Sequence, residues 1–293
     1  MSRTAAEDWL APGSVRALTG GAHEFLATAG AMYSGFLAVG GENEGGALHY
    51  FFAESAGDPA TDPLVLWLNG GPGGSSFGGS ILEHGPLILN RTGTGLMENP
   101  WAWSNVANVI FLESPPGVGF SYCAAQLEDP SATCYADDYT AAEANLDALR
   151  SFLMKFPEFI GREFYITGES YGGVYVPTLS KLLYDSDLAE RGALDFQGFA
   201  VGDPCTDNDL QGGESEFSAA FALRHGVLSE EWYNLLTTCI DMPGSGLCKE
   251  AREIYALAKG GYDGAGLFDE YNVRAHESAR RAGRFTPISS RRD

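Results

Sequence analysis

Ser170 lies at the centre of Gly168-Glu169-Ser170-Tyr171-Gly172, and a serine in a Gly-x-Ser-x-Gly setting can attack a carbonyl and carry its acyl group. The pattern is weak by itself. In a chain of 293 residues with 38 glycines, chance supplies it about 0.4 times, so context must decide. Glu163 to Thr167 reads as a short apolar strand before the serine, and Tyr175 to Tyr184 as a helix after it, with Pro177 in its first turns. A strand entering and a helix leaving would lift the serine onto a strained turn above a sheet. Gly168 and Gly172 would give the crossing room.

An acyl transfer through Ser170 needs hydrogen-bond donors for the oxyanion. The backbone N–H of Tyr171, the residue after the nucleophile, supplies one. The second is expected from the loop after a neighbouring strand, here Asn69-Gly70-Gly71-Pro72. That loop continues to Ser76 and holds four glycines, which would let backbone N–H groups approach a substrate closely.

The elements that must position these groups are legible as apolar runs. Ser34 to Val39 and Leu48 to Glu54 read as strands joined by the Gly-rich link Gly40 to Gly46, an antiparallel pair. Leu64 to Leu68 is apolar at every position, as expected for a strand buried on both faces, and Val106 to Leu112 repeats the pattern before Glu113-Ser114-Pro115-Pro116-Gly117. Asp137 to Phe156 carries Ala141, Ala144, Leu146, Leu149, Phe152 and Leu153 at helical spacing. Phe196 to Gly202 reads as one more strand. Strands alternating with helices, with Gly-rich loops at the strand ends, argue for an α/β fold with a mostly parallel sheet and its site along that edge.

After Asp203 the texture changes. Glu214 to Arg224, Ser229 to Cys239 and Gly246 to Lys259 read as three short helices, so residues 1–203 are expected to form the core and 204–293 a helical insertion with a basic tail. The tail carries the pairs Arg280-Arg281 and Arg291-Arg292, a candidate processing site in an exposed segment.

Composition excludes several classes. A net charge of -21 would repel nucleic acid and an anionic membrane. No apolar run approaches the ~20 residues that span a bilayer. The five cysteines show no zinc spacing; 123 with 134 and 239 with 248 could close short disulfide loops, leaving Cys205 over. No cofactor or metal is expected. Asn90-Arg91-Thr92 is a glycosylation sequon, relevant if the chain enters the secretory pathway, although the N-terminus has no apolar signal core.

Four blocks in order carry a resemblance: Trp67 to Gly73, Asn99-Pro100-Trp101-Ala102-Trp103, Val109 to Tyr122, and Gly168 to Gly173. From about Ser34 to about Leu257 the chain resembles the serine carboxypeptidases of the α/β-hydrolase fold. The resemblance implies an acylating role for Ser170 and an oxyanion hole from the N–H groups of Gly71 and Tyr171. It also implies that Asn69, Gly70, Glu83 and Glu169 hold the free carboxylate of a peptide or protein C-terminus. A glutamic acid donates to a carboxylate only while protonated, so acidic pH is expected to favour hydrolysis. A secreted, vacuolar or lysosomal location follows from the same resemblance.

The chain also departs from the family. Gly74 stands where many members have a cysteine. In this fold the acid and histidine that serve the nucleophile follow it in sequence, and none of His23, His49, His84, His225 or His276 lies in a matching context. The core therefore reads as truncated before its last strands. Two other functions stay open on these residues: acyl transfer to an alcohol, and a non-catalytic binding role.

Overall fold

In the computed structural model the described residues are 30–41, 44–90, 92–207, 211, 216–226, 228–241 and 248–249. The basic pairs at 280–281 and 291–292, His23, His276 and most of the third expected helix lie outside them.

Eight strands fall within residues 32–202: β1 (Met32–Ala38), β2 (Ala47–Ala53), β3 (Leu64–Leu68), β4 (Leu87–Leu89), β5 (Leu96–Glu98), β6 (Asn108–Leu112), β7 (Arg162–Glu169) and β8 (Leu194–Gly202). Six of them make one sheet in the order β1-β2-β6-β3-β7-β8. The β1–β2 and β2–β6 pairs are antiparallel, whereas β6–β3, β3–β7 and β7–β8 are parallel. The expected mostly parallel α/β sheet is what forms. Every residue of β2, β3 and β6 is buried, because both faces of the sheet are covered.

Alternation along these strands sends side chains to two separate cores. Leu64, Leu66, Leu68, Tyr50, Phe52 and Ile110 join α3 (Asp138–Lys155) and α4 (Gly172–Tyr184) on one face. Val65, Trp67, Phe51, Val109 and Phe111 pack on the other with Phe77 and Leu87. Helix α3 starts where the sequence marks it, because the Asp137 carboxylate accepts the N–H groups of Tyr139 and Thr140 while Thr140 Oγ1 accepts the N–H of Asp137 at 2.9 Å.

Some elements depart from the sequence expectation. Helix α4 begins at Gly172, three residues before Tyr175, and runs through Pro177. The strand expected from Val106 begins at Asn108, and Val106 is exposed. The β4–β5 hairpin has no apolar run long enough to announce it, and its turn contains the sequon residue Asn90, whose Oδ1 accepts the Thr92 and Thr94 N–H groups. Three short helices complete this part of the chain: α1 (Ser76–Gly79), α2 (Ala124–Glu128) and α5 (Asp187–Glu190).

The chain divides into two compact units, the second beginning at Asp207. Its described helices are α6 (Glu216–Arg224) and α7 (Glu230–Asp241), with Ala222, Leu228 and Leu236 packed together. Disulfides join Cys123 to Cys134 and Cys239 to Cys248, and Cys205 is a free thiol.

Candidate active site

Parallel strands present their carboxyl ends at one edge of the sheet, so the residues that follow β3, β6, β7 and β8 converge there. Ser170 follows β7 directly and has φ 58°, in the left-handed region that costs a side-chain-bearing residue about 1–3 kcal/mol. Its backbone is held in that conformation. The Ser170 N–H donates to Gly202 O at 2.9 Å, and its carbonyl accepts from Gly173 N at 2.9 Å and Cys205 N at 2.8 Å. The neighbouring strand β8 therefore secures the turn.

The loop after β3 lies against this turn. A Cβ on Gly70 would come within 2.5 Å of Tyr171 N, 2.6 Å of Glu169 O and 2.8 Å of the Ser170 Cβ, so only glycine permits the approach. Gly71 has φ 118°, and Gly74 N donates to Gly70 O at 2.8 Å, which closes the loop on itself. Gly70, Gly71, Ser170 and Tyr171 are thus neighbours, as their expected roles require.

Asn69 opens the same loop. Its Oδ1 accepts the Trp67 indole N–H at 2.6 Å, and its Nδ2 donates to Glu83 Oε1 at 3.1 Å. Glu83 rides on a π-helical turn, Ser80–His84, that continues α1. Glu169, the last residue of β7, has no hydrogen-bond partner for its carboxyl among the described residues. Burial first, then the Glu83 and Asp203 carboxylates, push its pKa above the usual range. Asn69, Glu83 and Glu169 accordingly form one acid-rich corner beside Ser170.

A cleft of about 690 Å³ opens along Pro72, Gly73, Pro116, Val118, Tyr171 and Tyr175. The Tyr171 hydroxyl donates to Asp138 Oδ1 at 3.0 Å, and burial pushes the Tyr175 hydroxyl up to about 12. Asp137 and Asp138 line the cleft, and among the described residues its wall carries no lysine or arginine.

The described histidines make other contacts. His49 Nδ1 lies 3.0 Å from Glu113 Oε2 and its Nε2 2.7 Å from Ser34 Oγ. His84 is enclosed by Trp67, Trp103 and Phe111, and His225 stacks on Phe221 in the second unit. Among the described residues no side chain is hydrogen-bonded to the Ser170 hydroxyl. Sequence reasoning had passed over Glu113 and Ser75, which the structure joins through Ser75 Oγ and Glu113 Oε1. Their signal was present only as part of the blocks that carry the family resemblance.

A mostly parallel sheet, a left-handed serine between strand and helix, and a glycine loop at the adjoining strand end together define an α/β-hydrolase. The chain belongs to the serine carboxypeptidase family, whose model matches residues 24–287. It is 40% identical over 211 residues to the lysosomal protective protein of Mus musculus, covering 71% of this chain and 40% of that one. To serine carboxypeptidase-like 25 of Arabidopsis thaliana it is 34% identical over 265 residues, covering 89% of this chain and 54% of the relative. The crystal structure of Kex1(delta)p, a prohormone-processing carboxypeptidase from Saccharomyces cerevisiae, superposes with TM-score 0.62 at 22% identity. That match covers 81% of this chain and 55% of that one. The chain spans about half the length of the curated relatives it matches.

Proposed function

We propose that this chain carries the acyl-enzyme site of a serine-type carboxypeptidase, in which Ser170 attacks the last peptide bond of a substrate held by its free C-terminus. The Gly71 and Tyr171 N–H groups would receive the oxyanion that develops on the scissile carbonyl. Family membership supports hydrolase chemistry. The observation that carries the substrate class is the corner made by Asn69, Glu83 and Glu169 beside the serine turn.

In that corner, Asn69 Nδ2 and a protonated Glu169 are donors for a substrate carboxylate, and Glu83 accepts from Asn69. Protonation of Glu169 is helped by its raised pKa, and a bound carboxylate would raise it further. Binding is therefore favoured at acidic pH. Two disulfides and the name of the murine relative support a secretory or lysosomal setting, where the Asn90 sequon would be open to glycosylation.

Calorimetric binding of matched free-acid and C-terminally amidated peptides to the Ser170→Ala chain at pH 5 tests this reading. Loss of charge-assisted hydrogen bonds costs about 1.5–3 kcal/mol, so the free acid should bind roughly 10-fold tighter or more. Equal affinities would remove the carboxylate from the proposal.

A further inference from the structure

We infer that Glu113 is a positioning residue that holds both walls of the cleft beside Ser170 through one buried carboxylate. The inference rests on the proposed hydrolase site, to which it adds the group that keeps the oxyanion loop in place.

Glu113 follows β6 and is 1% exposed. A carboxylate so buried persists only where donors surround it, and three side-chain or backbone groups converge here. On Oε1 it accepts from the Ser75 hydroxyl. On Oε2 it accepts from Phe120 N at 2.8 Å and is paired with His49 Nδ1 at 3.0 Å. His49 is itself fixed by Ser34 on its other nitrogen, and its backbone N–H donates to Ser121 Oγ at 2.8 Å. Ser121 Oγ in turn donates to the Glu113 carbonyl at 2.6 Å. Burial alone would raise the carboxyl's pKa, but the hydrogen bonds from His49, Phe120 and Ser75 more than offset it and the pKa lies below the usual value.

The two groups on either side of this carboxylate belong to different walls. Ser75 ends the glycine loop that begins at Asn69 and caps α1, its Oγ accepting Gly78 N at 3.0 Å. Phe120 belongs to the segment after Glu113, of which Pro115, Pro116, Gly117 and Val118 line the cleft. Gly119 has φ 57°, and a Cβ there would collide with the Glu113 carboxylate, so the segment is wrapped tightly around the anion. Gly73 and Val118 face each other across the gap, a Gly73 Cβ lying 3.9 Å from Val118 Cγ2. Ser75 uses its proton on Glu113 and a lone pair on Gly78. The loop bearing Gly70 and Gly71 is thus tied at its far end to β6 and, through His49, to β2.

The polarity of the network makes the test specific. In Glu113→Gln the amide oxygen can serve Phe120 and His49, but its NH₂ then faces Ser75, whose proton loses its acceptor. In Glu113→Ala both walls lose their tie, and in Ser75→Ala only the glycine loop does. Hydrogen exchange read by mass spectrometry should show peptides covering 70–79 exchanging at least tenfold faster in all three variants. Peptides covering 116–121 should change only in Glu113→Ala, with β3 and β7 remaining protected. Phe152→Leu, a destabilising change in the main core that touches neither wall, should leave both segments as in the wild type.

In a Ser170→Ala background, Glu113→Gln and Ser75→Ala should weaken free-acid peptide binding about tenfold relative to that core variant. Wild-type exchange in 70–79 for a folded Glu113→Gln or Ser75→Ala chain would overturn the inference. So would a binding loss no larger than that of Phe152→Leu. If the parent binds free-acid and amidated peptides alike, the carboxypeptidase reading fails, while the exchange pattern still decides the role of Glu113.

Discussion

The Asn69 side-chain amide donates to Glu83 Oε1 at 3.1 Å while its oxygen is occupied by the Trp67 indole, so the amide can face the carboxyl corner in only one orientation. Its second Nδ2 hydrogen is thereby aimed by its neighbours. The remaining polar group of the corner, Glu169, has no such partner among the described residues, and burial beside the Glu83 and Asp203 carboxylates raises its pKa.

Glu169→Gln should flatten the pH dependence of peptide binding. In the wild type Glu169 is a donor below its raised pKa and a repelling carboxylate above it. Free-acid affinity should then fall by up to about tenfold per pH unit once that value is passed. Glutamine donates at every pH, so titrations at pH 5 and 7.5 should give nearly equal affinities. The stability effect has a defined sign as well. A folded pKa above the unfolded one means stability that is present at low pH and lost as pH rises, so Glu169→Gln should be more stable than wild type at pH 7.5 and no more stable at pH 4. A wild-type pH profile in the variant would assign the titration to another group.

Gly70→Ala should disable the site without unfolding the chain. The added methyl meets backbone N, backbone O and the Ser170 Cβ within 2.8 Å, and none of these is a flexible side-chain end. The glycine loop or the serine turn must shift by several tenths of an ångström. Misplacement approaching 1 Å costs about 10²-fold in rate or labelling. Reaction of Ser170 with a fluorophosphonate, followed alongside a thermal melt, separates that loss from general destabilisation.

The serine turn was legible because its strand, glycines and helix are contiguous in sequence, and Leu64 to Leu68 announced itself by being apolar throughout. Caps were legible too, as Asp137 shows, since capping is a local contest among neighbouring groups. Contacts across the sheet were not. Glu113 meets Ser75 at a separation of 38 residues and His49 at 64, and no spacing rule links them. Residue type gave no sign that His84, next to Glu83, is buried among aromatic rings contributed by other parts of the chain. The β4–β5 hairpin escaped because three-residue strands carry too little periodicity to register.

His84 should make the fold less stable in acid. Burial lowers its pKa from 6.5 to about 4, its Nε2 has no hydrogen-bond partner among the described residues, and Trp67, Trp103 and Phe111 pack around the ring. The nearest acidic oxygen, Glu83 Oε2, is 3.9 Å from Nδ1. With a folded pKa below the unfolded one, the unfolded chain binds the proton first. Stability is then full above pH 6.5 and declines as pH falls towards 4, by at most about 3 kcal/mol. His84→Leu removes this slope, so the drop in chemical-denaturation stability between pH 7 and pH 4.5 should shrink by that order. An unchanged drop would show that the imidazole is protonated in the folded state.

Ser170 should react slowly in the 293-residue chain. A serine hydroxyl at neutral or acidic pH is a poor nucleophile unless a base takes its proton and a third group orients that base. The described residues supply the left-handed turn, Gly71 and Tyr171, but His49 is bound to Ser34 and Glu113, and His84 is closed in by aromatic rings. Neither imidazole is hydrogen-bonded to Ser170. Substrate binding and the oxyanion donors alone leave a rate about 10³–10⁴ above water, far below that of an intact triad. A fluorophosphonate should therefore label the purified monomer incompletely over hours, and Ser170→Ala should abolish what labelling there is. Rapid stoichiometric labelling would instead show that a competent base reaches Ser170, and substitution of His225, His276 and His23 in turn would identify it.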